Sequence, residues 1–141
     1  MEVTVIRDGG SHLSRHIKPI VVVVDDDLEI RESLKSLLTS ADLGVATFPS
    51  AESALESGLL GEAGCLVTDV RMPGMHGTEL QYRMHRDHPA VPVIMITAHR
   101  NEELKRSALS NGAAFLFYKP FDPMDLLQAI HSVLSGAEGH A

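Results

Sequence analysis

The chain has 141 residues, the size of one ordinary domain, and 44% of them are hydrophobic, which is sufficient for a packed core. Its formal net charge of −7, without a long cluster of lysine or arginine, argues against direct binding of nucleic acid. A single cysteine excludes an internal disulfide, and no apolar run approaches membrane-spanning length. We therefore expect a cytoplasmic protein with no membrane partner.

The sequence predicts a polar, flexible arm at residues 1–18, one folded domain at 19–135 and a small-residue tail at 136–141. Within the arm, Val3–Ile6 is apolar enough to form a short extended segment. The arm lacks the apolar centre of a secretory signal peptide. The sequence does not decide whether the domain acts alone or belongs to a longer regulator.

Five short apolar runs, each bounded by turn residues, predict buried strands. These runs are Ile20–Val24, Leu43–Phe48, Cys65–Thr68, Val91–Ile96 and Phe115–Tyr118. The first run is β-branched throughout, which is typical of a central strand in a parallel sheet.

Amphipathic segments alternate with these strands and predict five helices. They are Leu28–Ser40, a segment capped by Ser50 and closed by Gly58 and Gly61, Gly77–Arg86, Glu102–Ser110, and a segment opened by Asp122 and Pro123. The buried side of the last helix is predicted to comprise Met124, Leu127, Ile130, Val133 and Leu134. Strict alternation of strands and helices predicts a doubly wound α/β fold around a five-stranded parallel sheet.

Polar side chains follow or end four of the five predicted strands. They are Asp25 and Asp26, Asp69, Thr97 and Lys119. In a parallel sheet the carboxyl ends of all strands meet at one edge, which is where open α/β sheets bind ligands. Each residue alone has an ordinary explanation as a helix cap or a solvated loop residue. Their joint occurrence predicts a single site.

The side-chain chemistry of this set suits phosphoryl transfer. Clustered carboxylates supply the oxygen ligands that Mg²⁺ prefers, and this ion keeps positions open for water and phosphate. Mn²⁺ is expected to substitute for it. Lys119 offsets negative charge, the Thr97 hydroxyl can donate a hydrogen bond, and an aspartate can itself become phosphorylated.

Four segments resemble the receiver domains of two-component response regulators. They are Val23-Val24-Asp25-Asp26-Asp27, Asp69-Val70-Arg71-Met72-Pro73-Gly74-Met75-His76-Gly77, Ile96-Thr97-Ala98 and Tyr118-Lys119-Pro120-Phe121. The resemblance covers about residues 20–135 in the family's order and spacing. It implies a flavodoxin-like, CheY-like three-layer fold with strand order 2-1-3-4-5.

The resemblance also implies the roles of the acidic residues. Asp69 resembles the phosphoacceptor, which takes a phosphoryl group from a phosphohistidine on a sensor histidine kinase or phosphotransfer protein. Asp25 and Asp26 resemble the acidic pair that binds Mg²⁺ together with Asp69. The backbone carbonyl of Arg71 resembles the third protein ligand of the metal ion.

Further roles follow from the same resemblance. Thr97 resembles the switch hydroxyl, and Lys119 resembles the phosphoryl-pairing lysine, with a cis peptide bond expected before Pro120. Arg71 and His99 occupy positions that tune the loss of the phosphoryl group in this family, although both can simply face solvent. Phosphorylation is expected to shift the surface of the fourth helix, fifth strand and fifth helix, which would meet a downstream protein or a second copy.

One position departs from the family pattern. Leu116 stands three residues before Lys119, where the family commonly has a movable tyrosine or phenylalanine. Because side chains alternate along a strand, Phe115 and Phe117 share the opposite face and cannot replace Leu116 directly. We therefore expect weaker or different coupling along the fourth helix and fifth strand.

Two other functions compete with this interpretation. A haloacid-dehalogenase-like phosphatase would use Asp25 as nucleophile and Asp27 as acid/base. It leaves Asp69 unexplained and needs a further acidic pair, for which only Asp122 and Asp125 remain. The other alternative is a receiver-like interaction module that is never phosphorylated, against which the intact residue set argues. We expect no enzymatic activity beyond self-catalysed phosphotransfer and autodephosphorylation.

Overall fold

A computed structural model of the chain describes residues 18–136. The predicted extended segment Val3–Ile6 lies outside the described residues, and the division into arm, domain and tail stays a prediction. No helix within the described part of the chain is long and apolar enough to cross a membrane.

Five strands form one parallel sheet. They are β1 (Ile20–Val24), β2 (Gly44–Phe48), β3 (Cys65–Asp69), β4 (Val93–Thr97) and β5 (Phe115–Tyr118). Their order across the sheet is β2-β1-β3-β4-β5, and all four neighbouring pairs are parallel. The predicted fold class and strand order are confirmed. β2 begins one residue later than predicted, and β4 begins two residues later.

Five helices connect and flank the strands. They are α1 (Leu28–Ser40), α2 (Ala51–Ser57), α3 (Gly77–Asp87), α4 (Glu102–Ser110) and α5 (Pro123–Leu134), with a 3₁₀ turn at Leu60–Glu62. The side chains of Asp27, Ser50, Asn101 and Asp122 each accept a hydrogen bond from a backbone amide in the first turn of α1, α2, α4 and α5, respectively. These caps satisfy amides that have no partner within the helix.

The sheet separates two apolar layers, because successive strand residues point to opposite faces. The first, which we call the α2–α4 layer, includes Leu66, Met95 and Leu80. The second, the α1/α5 layer, includes Val67 and the buried residues of α1 and α5. Both faces of the sheet are covered, as its uniformly apolar strands require.

The buried side of α5 differs from the prediction. Met124 is 58% exposed, whereas Leu126 and Ala129 are buried together with Ile130 and Val133. Residues advance by about 100° along a helix, so Met124 lies about 200° from Leu126 and points away from the sheet.

Candidate functional site

The carboxyl edge of the sheet brings together three predicted site residues from distant parts of the chain. The ammonium nitrogen of Lys119, which follows β5, lies 2.9 Å from Asp25 Oδ2 and 3.1 Å from Asp69 Oδ2. Asp25 follows β1 and Asp69 ends β3, and both are buried. Parallel strand pairing alone accounts for this meeting of residues that are 94 and 50 positions apart in the sequence.

Asp26 completes an acidic cluster with these two aspartates. One carboxylate oxygen from each of Asp25, Asp26 and Asp69 lies within 4.8 Å of the other two. Asp26 is exposed, so the cluster opens to solvent on its side. Three oxygen donors with an open side match a hard divalent cation that retains bound water, and the residues therefore fit Mg²⁺.

The charges at this edge are unbalanced. Burial raises the pKa of Asp25 above its ordinary value, and the Asp69 carboxylate acts in the same direction, while the Asp27 amide and Lys119 act against it. Burial lowers the pKa of Lys119, but its ion pairs with Asp25 and Asp69 outweigh this and raise the pKa above its ordinary value. Lys119 therefore stays cationic at neutral pH, and two buried carboxylates share its charge.

The loop after β1 is fixed by its own hydrogen bonds. The Asp27 amide donates to Asp25 Oδ1 at 2.9 Å, and the Asp27 side chain accepts from the Glu29 amide as the N-cap of α1. Arg31 donates to the Asp25 carbonyl at 2.7 Å. Asp27 is thus occupied in capping α1, and Arg31 is a contributor that sequence reasoning missed because it lies on a helix among other charged residues.

Two glycines shape the loop between β3 and α3. A side chain at Gly77 would collide with the carbonyl oxygen of Asp69, because the Gly77 amide donates to the Val70 carbonyl at 2.8 Å. Gly74 has a φ of +78°, a left-handed conformation that favours glycine. The loop after Asp69 therefore folds back tightly on the end of its own strand.

A carboxylate from α2 holds the same loop. Glu52 Oε2 accepts a hydrogen bond of 2.9 Å from the amide of Met75. The Arg71 amide lies 3.3 Å from Asp69 Oδ1, and the Arg71 side chain is exposed. Glu52 is a second contributor absent from the sequence prediction, since nothing in its local pattern indicates a contact 23 residues away.

Thr97 lies fully buried at the end of β4. Its hydroxyl accepts a hydrogen bond of 3.1 Å from the amide of His99, whose side chain is exposed, and its carbonyl accepts one of 2.7 Å from the Lys119 amide. The peptide bond between Lys119 and Pro120 is cis, as predicted. The Thr97 hydroxyl is thus bonded to the loop that follows it.

Leu116 is buried in the α2–α4 layer at 8% exposure. Phe117 packs on the opposite face, in the α1/α5 layer, and Phe115 shares that face through its register with Ile94; their rings stack with centroids 6.1 Å apart. The predicted alternation is therefore present, and neither phenylalanine can take the place of an aromatic side chain at position 116. Tyr118 shares the face of Leu116.

Comparison with known proteins identifies the class. A family model described as the response regulator receiver domain matches residues 21–131. Nodulation protein W of Bradyrhizobium diazoefficiens is 38% identical over 124 residues, covering 88% of this chain and 55% of that protein. The transcriptional regulatory protein FixJ of Azorhizobium caulinodans is 40% identical over 114 residues, covering 81% of this chain and 54% of that protein.

Solved structures agree with these matches. The response regulator StyR gives a TM-score of 0.77 at 43% identity, covering 84% of this chain and 60% of that one. A CheY-like receiver domain protein from Methanospirillum hungatei gives a TM-score of 0.78 at 28% identity, covering 88% of this chain and 99% of that one. The fold is that of a CheY-like receiver. The chain belongs to the response regulator receiver domain family of two-component systems, and it spans little more than half the length of the curated relatives above.

Proposed function

We propose that this receiver accepts a phosphoryl group on Asp69 from the phosphohistidine of a sensor histidine kinase or phosphotransfer protein, in a Mg²⁺-dependent reaction. The observation that carries the proposal is the position of Lys119, 2.9 Å from Asp25 and 3.1 Å from Asp69, beside the oxygen cluster that includes Asp26. The metal ion would be held by Asp25, Asp26, Asp69 and the backbone carbonyl of Arg71.

In the proposed step an Asp69 carboxylate oxygen attacks phosphorus while the bond from phosphorus to the histidine nitrogen breaks. The donor imidazole leaves with the electron pair of that bond and is neutralised by a proton. Lys119 pairs with a phosphoryl oxygen and stabilises the developing charge. A bound Mg²⁺ supplies further neutralisation of phosphoryl charge. Thr97 exchanges its bond with the His99 amide for one to a phosphoryl oxygen.

An apolar groove beside Lys119 supports docking of the phosphodonor. It has a volume of about 650 Å³ and is lined by α1 and the start of α5, with Leu37 and Phe121 among its residues. An apolar groove at the surface is typical of interaction sites, and an α-helical donor bound there would bring its phosphohistidine to this edge.

The phosphorylated state would be read at the surface formed by α4, β5 and α5, by a downstream protein or a second copy of the chain. Added charge at Asp69 would bias the loop after Thr97 between two arrangements. Because relatives that share this domain are named transcriptional regulatory proteins, we propose that the response is gene expression, through a protein contact rather than through DNA binding by this domain.

We propose that the domain catalyses only its own phosphorylation and dephosphorylation. Arg71 and His99 are exposed at positions that follow Asp69 and Thr97, where side chains can order or exclude attacking water. The double change Arg71→Ala with His99→Ala is expected to alter the phosphoryl lifetime several-fold. An unchanged lifetime would show that both side chains merely face solvent.

The decisive experiment uses acetyl phosphate with Mg²⁺ and mass spectrometry. We expect an acyl phosphate on Asp69 that disappears with EDTA or with Asp69→Ala. Asp122→Asn is the control: it removes the charge of the carboxylate that caps α5, and labelling of Asp69 should remain intact. Labelling of Asp25 with turnover of simple phosphate esters would instead favour the phosphatase. The absence of any Mg²⁺-dependent adduct would favour a module that is not phosphorylated.

A further inference from the structure

Tyr118 places an aromatic ring beside the switch hydroxyl. It ends β5 and pairs in register with Thr97 at the end of β4, just as Leu116 pairs with Met95. Met95, Leu116 and the ring of Tyr118 all contribute to the α2–α4 layer, so Tyr118 and Thr97 are neighbours on that face. An aromatic side chain is therefore present on the correct face, two residues beyond the position where it was expected.

The ring of Tyr118 is held by the chain segment that follows Thr97. The guanidinium of Arg100 lies 4.7 Å from the ring centroid and the ammonium of Lys105 lies 5.6 Å from it. Both distances are within the range of favourable cation–π contact. The Tyr118 hydroxyl lies 3.3 Å from the Asn101 carbonyl oxygen and 3.3 Å from a Glu102 carboxylate oxygen.

These four partners occupy one short stretch, residues 100–105, which comprises the end of the β4–α4 loop and the first turn of α4. Burial raises the pKa of Tyr118 above its ordinary value, and Glu102 acts in the same direction. The phenol therefore stays protonated at neutral pH and can donate to either acceptor. Ring and hydroxyl together attach the start of α4 to β5.

The β4–α4 loop has an attachment at each end. At its beginning the His99 amide donates to the Thr97 hydroxyl, the bond that phosphorylation would remove. At its end lies the contact with Tyr118. Asn101 caps α4 by accepting from the amides of Glu103 and Leu104, so the cap and the helix move as one unit. A shift at Thr97 therefore reaches α4 through a segment whose other attachment is Tyr118.

We propose that Tyr118 is a positioning residue that attaches the β4–α4 loop to β5, a contact that we call the latch. In this chain Tyr118 takes the role of the aromatic switch side chain, because the usual aromatic position is occupied by Leu116. When Thr97 turns to the phosphoryl group, the loop moves and the contacts of Arg100 and Lys105 with the ring change. The surface of α4 and β5 then presents different charges to a partner. The coupling to phosphorylation rests on the proposed function, whereas the latch itself does not.

The chain offers a matched control for a direct test. It contains two tyrosines and no tryptophan. Tyr82 is 62% exposed and has a cation–π contact with Arg86 of its own helix, at 5.7 Å. Incorporation of 3-fluorotyrosine therefore gives two ¹⁹F resonances, and Tyr82→Phe assigns them. Phosphorylation of Asp69, or its mimicry by beryllofluoride with Mg²⁺, should shift the Tyr118 resonance and leave that of Tyr82 in place.

The latch is tested without phosphorylation by hydrogen exchange in the unmodified protein. Tyr118→Leu is expected to speed exchange of the amides at 103–105 several-fold and to leave β1 and α5 unchanged. Tyr82→Leu should have no such effect, and Tyr118→Phe, which keeps the ring, should retain most of the protection.

Unchanged exchange at 103–105 in Tyr118→Leu would overturn the latch. If phosphorylation is verified by mass spectrometry and the ¹⁹F resonance of Tyr118 does not shift, the coupling between phosphorylation and the latch is overturned. Failure to form any acyl phosphate would instead reject the proposed function, while the exchange measurement would still decide whether the latch exists.

Discussion

The helices α4 and α5 are adjacent in the chain and differ sharply in how they are anchored. Among the nine residues of α4, each of which the structure describes, Ala108 alone is buried. Of the twelve residues of α5, four are buried, including Ile130 and Val133. Buried apolar area supplies most of the free energy that fixes a helix on a sheet. Because α4 buries much less apolar area than α5, it is fixed to the sheet by a smaller free energy.

This difference assigns separate tasks to the two sides of the sheet. Regions with few buried apolar contacts open or shift at low free-energy cost, and switching elements come from such regions. The α1/α5 layer can therefore hold Asp25 and Lys119 in place, while α4 is the element able to shift in the switch proposed above.

Thiol labelling should give the largest difference. Cys65 is fully buried in the α1/α5 layer, and burial raises its pKa to about 12. Because only the thiolate reacts, alkylation by iodoacetamide at pH 8 should be about a thousandfold slower than in the unfolded chain, and the native rate should rise with pH. Ala108→Cys in a Cys65→Ser background should react much faster, through opening of α4. Equal native rates at the two sites would contradict the contrast.

Truncating one side chain in α5 and one in α4 should lower the free energy of unfolding by different amounts. Ile130→Ala removes a fully buried side chain from α5 and should lower the free energy of unfolding by about 3 kcal/mol. Leu104→Ala removes a half-buried side chain from α4 and should cost about 1 kcal/mol. Urea denaturation without Mg²⁺ measures both. A cost for Leu104→Ala equal to that of Ile130→Ala would show that α4 is as firmly anchored as α5.

The Glu52 contact should have a smaller effect, confined to the loop after Asp69. Glu52→Ala removes the acceptor of the Met75 amide and should cost about 1 kcal/mol of local stability. Faster hydrogen exchange of the Met75 amide, together with Mg²⁺ binding weakened about fivefold in calorimetry, would show this effect. Glu56→Ala, an exposed carboxylate one turn further along α2, is the matched control and should change neither quantity.

The smallest effect on stability is expected for Asp69→Asn. The change relieves repulsion between two buried carboxylates and leaves the pair between Lys119 and Asp25 intact. Without Mg²⁺ the variant should be as stable as the parent or up to about 1 kcal/mol more stable. A clear decrease in melting temperature would mean that the cluster is not strained when the metal ion is absent.

Much of this fold could be predicted because its signals are local. The bounds of α1, α4 and β1 match the structure residue for residue, since caps, helical spacing and β-branched runs are short-range patterns. The convergence of Asp69 with Lys119 followed from one rule about parallel strand ends. Met124 was misplaced because its apolar character outweighed its angular position on α5.

The parts that sequence reasoning missed are contacts between loops and helix ends. Glu52 with Met75, and Tyr118 with Arg100, join residues whose nearness depends on how helices sit on the sheet. No periodicity marks such pairs, and each residue looks like ordinary surface when considered alone. The departure at Leu116 could be seen in the sequence, but its structural counterpart at Tyr118 required the register of β5 against β4.

Gly77 has a consequence for anyone who wishes to redesign this protein. Its hydrogen occupies the only room left between the start of α3 and the carbonyl oxygen of Asp69. Even alanine at this position would place its Cβ against the Asp69 carbonyl oxygen, so α3 would have to move away from the end of β3. A library that varies the surroundings of Asp69 should therefore keep residue 77 constant and place its diversity on the exposed positions 71 and 99.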